Sequence, residues 1–322
     1  MSGATFSHLP VLIRDVVDLF APVPPGIVVD ATVGGGGHAE ALLESCPHLR
    51  LVGLDRDPVA VAAAAERLSR FGARVQVVHA RFDRLASVMT QLDHQTASGV
   101  LFDLGVSSPQ LDRADRGFSH RHEGPLDMRM DQTATEPTAA TLVNEAPVGE
   151  LADVLRRLGD ERYAARVAQA IVAARPIATT TQLAEVVRSA IPAPARRRGR
   201  HPATRTFQAL RIAVNAELEV LPSALDQAID VLVPGGRCSV LAYHSGEDRI
   251  VKFRFRHAAT GGCTCPPHLP CGCGAVPSVR LIRAGATKAS PAEVATNPRA
   301  SSVRLRAVEK LAPSGGDEAT TT

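Results

Sequence analysis

Three aspartates mark the places where this chain can do chemistry. Asp30 stands before the run Gly34-Gly35-Gly36-Gly37-His38, Asp55 follows it, and Asp103 opens Asp103-Leu-Gly-Val-Ser-Ser108-Pro109-Gln110. Clustered glycines let backbone approach a ligand closely, and the N–H groups of a helix starting there point at it. A carboxylate about twenty residues beyond such a turn is placed to accept hydrogen bonds from both hydroxyls of a ribose. The string Gly34-x-Gly36-x-x-Ala39 also fits the looser dinucleotide fingerprint. Asp30 favours another ligand, S-adenosylmethionine, because a carboxylate there would repel a pyrophosphate but can face a cationic amino acid group. The Asp103 run turns on Pro109 and suits the handling of an exocyclic amine, with Asp103, Ser108 and Pro109 as the orienting residues. The lone pair of such an amine is conjugated into its ring, so orientation and hydrogen bonding are the available levers. No cysteine stands near this run to attack a base covalently. A ligand-free turn is the plainer alternative for either segment.

Two further clusters carry possible chemistry. Cys263-Thr-Cys265-Pro-Pro-His-Leu-Pro-Cys271-Gly-Cys273 pairs two Cys-x-Cys units. Four thiolates can hold a tetrahedral zinc, although the pairs are tighter than the usual spacing; free thiols and redox pairing are the alternatives. The 24 residues from Arg188 to Arg211 hold seven arginines (188, 196, 197, 198, 200, 205 and 211) and no acid. Contact with a phosphate backbone through Arg196, Arg197, Arg198, Arg200 and Arg205 is one reading, and a solvated basic face is the other. His244-Ser245-Gly-Glu247-Asp248 reads as a helix start, with Ser245 as cap and Asp248 bonding back, and not as a nucleophile with its base.

The elements around these residues follow a βα alternation. Strand-like runs at Ile27–Asp30, Leu51–Asp55, Arg74–His79 and Gly99–Asp103 are separated by helical stretches at His38–Cys46, Val59–Phe71 and Phe82–Leu92. This pattern implies an α/β, doubly wound, mostly parallel sheet. The alternation stops after Pro109. Gly149–Ala174 and Thr181–Ala190 read as helices, as does Phe207–Leu232 with an interruption at Pro222. A fifth strand, Arg237–Tyr243, follows the turn Pro234-Gly-Gly236, then a helix at Glu247–His257 and an antiparallel pair at Val279–Arg283 and Ser302–Val308. The expected organisation is a core of residues 1–110 and 207–310, a helical insertion at 111–206 and a polar, disordered tail at 311–322.

Composition sets outer bounds. The chain has 322 residues, 45% hydrophobic and 21% charged, which excludes wholesale disorder. Thirty-three arginines against three lysines give a net charge of only +3 with the acids, so the basic segment is a local feature. Aromatics are 3% with no Trp, so a base-stacking platform would have to be sparse. No apolar run approaches the ~18–20 residues of a membrane span. No basic segment followed by an apolar stretch opens the chain, so a cytoplasmic protein is expected.

Ordered along residues 8–308, a set of strings resembles the bacterial RsmH (MraW) methyltransferases. They are His8-Leu-Pro-Val-Leu12, the glycines ending at His38, Leu54-Asp-Arg-Asp-Pro58, Asp103 through Asp112, Arg116-Gly-Phe-Ser119 and Gly124-Pro-Leu-Asp-Met-Arg-Met-Asp131. Further on come His201-Pro-Ala-Thr-Arg-Thr-Phe-Gln208, Pro234-Gly-Gly236, His244-Ser245, Glu247 to Lys252, and Asn297-Pro-Arg-Ala300. The resemblance implies a class I S-adenosylmethionine-dependent methyltransferase that modifies the N4 amine of a cytosine in the decoding region of 16S rRNA, in the small ribosomal subunit. It implies cofactor contacts at Gly36, Gly37, His38, Asp55, Phe82, Asp103 and Gln110, and an RNA-recognition role for the insertion. Some relatives carry the paired cysteines and others lack them. This chain departs from the pattern at Gly246, where Leu is usual, and at Ala31 and Val33, where Gly and Phe are commoner. A methyltransferase for a protein or small amine, and an RNA-binding assembly factor without catalysis, are the alternatives in function.

Overall fold

The computed structural model describes residues 10–196, 201–266 and 272–313. Its elements are α1 (Ile13–Phe20), β1 (Gly26–Asp30), α2 (Gly37–Ser45), β2 (Leu49–Asp55), α3 (Pro58–Leu68), β3 (Val75–His79), α4 (Leu85–Gln91) and β4 (Ala97–Asp103). There follow α5 (Ser108–Asp112), α6 (Ala139–Glu145), α7 (Val148–Gly159), α8 (Ala164–Ala173), α9 (Thr180–Ala190), α10 (Ala193–Arg196) and α11 (Thr204–Asn215). The chain ends with α12 (Glu217–Asp230), β5 (Leu232–Ala242), α13 (Ser245–Thr260), β6 (Val279–Leu281), α14 (Pro291–Thr296) and β7 (Arg304–Lys310). They divide into two units, one of residues up to 105 and from 220 onward, the other of 106–219.

The first unit is a seven-stranded sheet in the order β3-β2-β1-β4-β5-β7-β6. Strands β1 to β5 are parallel, and β7 is antiparallel to both β5 and β6. Central parallel strands are covered on both faces and must be apolar throughout. The run Val28-Val29 in β1 and Val100-Leu101-Phe102 in β4 meets that demand. Successive side chains alternate between faces. Val29, Leu54 and Phe102 pack with Leu225 and Ala228 of α12 and Phe255 of α13. Val28, Leu101 and Leu241 pack with Val16 and Phe20 of α1 and Leu42 of α2. Because β1, β2 and β4 run the same way, their last residues, Asp30, Asp55 and Asp103, come to one edge of the sheet.

Several local features differ from the sequence-based expectation. Helices α1, α5, α6, α10 and α14 are additional. The segment Pro234-Gly-Gly236 lies inside β5, as a bulge: Ala97 pairs with Leu232, yet Gly99 pairs with Arg237. Pro222 lies within α12, and the break falls earlier, at Ala216, whose φ of 51° ends α11 before α12 begins.

The second unit is a helical bundle. Its core gathers Leu151 and Leu155 of α7, Val167 and Ile171 of α8, Leu183 and Val187 of α9, and Phe207 and Leu210 of α11. Phe207, Ala209, Leu210 and Val106, expected with the sheet, therefore belong to the helical unit. The irregular segment before α6 is stapled by buried polar side chains. Arg116, 2% exposed, donates to the carbonyls of Arg129 (3.2 Å) and Met130 (2.7 Å). Asn215 accepts from Met130 N–H (2.9 Å) and donates to the Met128 (2.7 Å) and Arg211 (2.9 Å) carbonyls. Leaving the Met130 and Met128 backbone groups buried without partners costs about 1–3 kcal/mol each. Asn215→Ala is accordingly expected to lower unfolding stability by about 3 kcal/mol in urea titrations; a loss below about 0.5 kcal/mol would show that the loop reorganises around the substitution.

Candidate active site

β1 ends at Asp30, which is 1% exposed, and its Oδ1 accepts the Thr32 N–H at 3.2 Å. Burial lifts its pKa to about 8; the Thr32 amide opposes the shift, and the charges of Asp103 and Asp55 add to it. The chain then turns, tied down by Ala31 N–H to Leu101 O and Val33 N–H to Leu54 O, both 2.8 Å. The turn closes on Gly36, the N-cap of α2, at a φ of 79° that favours glycine. Asp55 holds the same turn from β2. Its Oδ2 accepts the Gly34 N–H at 2.9 Å and its Oδ1 accepts the Asp57 N–H at 2.8 Å. Burial raises the Asp55 pKa to about 6 against the pull of those two amides. Among the described residues, neither Asp30 nor Asp55 is ion-paired with an arginine or lysine.

Asp103 ends β4. Its N–H donates to Thr32 Oγ1 at 2.6 Å, and its Oδ1 accepts from the Tyr243 hydroxyl at 2.6 Å. Burial raises its pKa; His38 and the Tyr243 bond pull it back, and Glu247 pushes it further up. His38 is 6% exposed in the first turn of α2. Its Nε2 lies 2.9 Å from the Val11 carbonyl, which can only accept, so Nε2 carries a proton and donates it there. Its Nδ1 lies 3.5 Å from Asp103 Oδ2. Tyr243 stays a donor, because burial and the neighbouring carboxylate raise its pKa well above the ordinary value.

Tyr243 and Glu247 were not among the expected site residues; the available signal was that Tyr243 closes the fifth strand-like run. The cap expected from Ser245 and Asp248 sits one residue earlier. His244 Nδ1 accepts from Gly246 and Glu247 N–H (3.2 and 3.4 Å), and Glu247 Oε2 accepts from Tyr243 and His244 N–H (2.8 and 3.2 Å). Asp248 instead pairs with Arg306 at 2.7 Å. A histidine ring nitrogen thus does what a hydroxyl was expected to do. Phe82 follows β3 and meets Phe102 edge-to-face, with centroids 5.9 Å apart.

The remaining expected residues lie in the helical unit, between α13 and β6 of the first unit, or outside the described residues. α5 begins at Ser108 with Pro109 in its first turn. Gln110 is 5% exposed, and its Oε1 accepts the Ser107 N–H at 3.0 Å. The guanidinium of Arg196 donates to the Ile191 (2.6 Å) and Ser189 (3.2 Å) carbonyls at the end of α9. Arg188 pairs with Glu185 at 2.6 Å and Arg211 with Glu217 at 2.8 Å, so acids just outside the basic segment offset part of its charge. Arg205 is exposed. Four residues earlier, His201 stacks on His120 with ring centroids 4.3 Å apart. Burial and its neighbour His201 lower the His120 pKa to about 4. Arg197, Arg198, Arg200 and Cys271 lie outside the described residues. The sulfurs of Cys263, Cys265 and Cys273 all fall within 4.8 Å of one another.

Five parallel strands and an antiparallel seventh, in this order, with acids at the ends of β1, β2 and β4 beside a glycine turn, define the class I methyltransferase fold. Comparison with known proteins narrows the class. The profile of the MraW methylase family matches residues 5–311, and the chain belongs to that family. A Ribosomal RNA small subunit methyltransferase H from Symbiobacterium thermophilum is 52% identical over 319 residues, covering 98% of this chain and 99% of that one. A protein of the same name from Frankia casuarinae is 54% identical over 306 residues, covering 92% and 94%. Among solved structures, an rRNA methylase from Streptococcus thermophilus superposes with a TM-score of 0.43 at 12% identity, over 95% of this chain and 100% of that one.

Proposed function

We propose that this protein transfers a methyl group from S-adenosylmethionine to the N4 amine of a cytidine in the decoding region of 16S rRNA. The observation that carries the reading is electrostatic. Three carboxylates meet at one sheet edge, each with its pKa raised by burial, beside a left-handed glycine turn. Such a site favours a cationic ligand, because a positive charge returns the stability that burial removes from the anions. S-adenosylmethionine supplies an electrophilic methyl group on a sulfonium and is itself cationic. Asp30 faces the amino acid end, Asp55 accepts from the ribose hydroxyls, Gly36 and Gly37 give backbone room, and Phe82 covers the adenine. His38 steadies Asp103. Asp103 accepts one N–H of the target amine, keeps its lone pair aimed at the methyl group, and takes up the proton that the methylated amine releases. Contacts to the cofactor by Gln110 and to the amine by Ser108 and Pro109 belong to the same reading, each to be tested by its own alanine variant.

The names of the relatives support rRNA of the small subunit as the substrate. Among the described residues no helix is long and apolar enough to cross a membrane, and work on ribosomal RNA fits a cytoplasmic protein. The direct test is mass spectrometry of 16S rRNA from a strain lacking the gene. The N4-methylated cytidine should vanish and return with the wild-type gene; its persistence would refute the assignment.

In this reading the helical unit grips RNA through the arginines of its basic segment. Arg196 serves the end of α9, so the informative variant changes Arg197, Arg198, Arg200 and Arg205 to Ala. Each lost phosphate contact should flatten the plot of log affinity against log salt by about 0.7–0.9. An unchanged slope in filter binding would remove these residues from the interface.

A further inference from the structure

Helix α13 ends at Thr260 and β6 begins at Val279. The described residues between them form neither helix nor strand, and connections of this length without secondary structure are uncommon in compact units. Something other than backbone ladders has to hold this segment. The backbone bonds Cys263 N–H to Thr260 O (3.1 Å) and Ser278 N–H to Ala258 O (3.0 Å) fasten its two ends. Between them, Gly262 and Gly274 take left-handed φ values of 75° and 68° directly beside Cys263 and Cys273. Those turns swing the sulfurs of Cys263, Cys265 and Cys273 to within 4.8 Å of one another.

The two isolated cysteines behave differently. Cys46 and Cys238 are buried in separate apolar cores, and burial raises both thiols. They pack as small apolar side chains. The three converging cysteines are half-buried or exposed, where packing gives no reason for sulfur. Thiolates around a tetrahedral zinc, at bonds of about 2.3 Å, lie about 3.8 Å from each other. The observed cluster reaches that spacing with side-chain movements of about 1 Å or less.

We propose that Cys263, Cys265 and Cys273 bind Zn2+ as thiolates and that this metal staples the segment between α13 and β6. Each thiol gives up its proton to solvent on binding, and no electron is transferred. Three sulfurs leave one tetrahedral position open to a further ligand such as water. The site holds structure and takes no part in methyl transfer, so it stands or falls independently of the proposed reaction.

The test uses the full chain, purified in reducing buffer without chelator, and Zn2+ or Co2+ alone as probe. Elemental analysis should find about one zinc per chain, and Co2+ exchange should give intense thiolate-to-metal absorption whose strength counts the sulfurs. The double variant Cys263→Ser, Cys273→Ser should retain less than about a tenth of the zinc. Chelator should lower the thermal midpoint of the wild type and leave that of the variant unmoved. The wild-type cobalt spectrum answers the question even if the variant folds poorly. Metal-free protein that takes up neither ion while its thiols react freely would overturn the proposal. So would equal zinc in the double variant, or a disulfide detected by mass in the reduced preparation.

Discussion

Asp103→Asn is expected to slow methyl transfer by about 10²–10⁴-fold and to leave cofactor affinity within about tenfold. The substitution is nearly isosteric, and the surroundings suit it. The Asn oxygen can accept from the Tyr243 hydroxyl as Oδ1 does now, at 2.6 Å. Its amide group would stand where Oδ2 does now, 3.5 Å from His38 Nδ1. The variant therefore keeps the Tyr243 bond and the shape of the site and loses the charge that receives the amine's proton. Single-turnover rates on small-subunit RNA, with equilibrium binding of the cofactor alongside, separate the two effects. A rate within about threefold of wild type would remove Asp103 from the chemistry.

Tyr243→Phe refines the argument, because the Tyr243 hydroxyl is one of the groups that hold the Asp103 pKa down against burial. Removing it should move the acid limb of the rate profile to higher pH, since the carboxylate then takes up its proton earlier as pH falls. A purely structural role would lower the rate without moving that limb.

What the residues announce and what they conceal have different physical origins. Asp30, Asp55 and Asp103 could be placed because each closes a short β-branched or apolar run, and parallel strands deliver their ends to one edge. The glycines were readable because few other demands put four together. Tyr243 was hidden: its bond to Asp103 spans residues 103 and 243, and no local period records a contact at that separation. The cap of α13 was misplaced by one residue because a histidine nitrogen replaced the usual hydroxyl. The strings Arg116-Gly-Phe-Ser119 and Gly124 to Asp131 contribute to packing through Arg116, Met128 and Met130, in bonds that fasten an irregular segment. Charge counting misled in the same way. The window from Arg188 to Arg211 excludes Glu185 and Glu217, the two acids that pair with its first and last arginines.

The second large effect is a pH dependence that one substitution should erase. Asp30 has its pKa raised to about 8 by burial, far above the ordinary carboxylate value. In the cofactor-free protein a raised carboxylate contributes stability below its unfolded pKa and loses that contribution as pH rises through about 8. A cation in the site favours the ionised form, so binding must expel the proton at neutral pH. Affinity of the wild type for S-adenosylmethionine should rise about fifty-fold between pH 6 and pH 8, the factor set by ionising a group of pKa about 8. Asp30→Asn has no proton to expel. It should bind with little pH dependence, tens of times more weakly than wild type at pH 8 and within a few-fold at pH 6. Without cofactor the same variant should be more stable than wild type above pH 8, because it no longer buries an anion. Titration calorimetry in buffers of different ionisation enthalpy counts the released proton, and urea midpoints across the same range report the stability. A wild-type affinity flat from pH 6 to 8 would show that Asp30 does not meet the cation, and the electrostatic case for the cofactor would then rest on Asp55 and Asp103 alone.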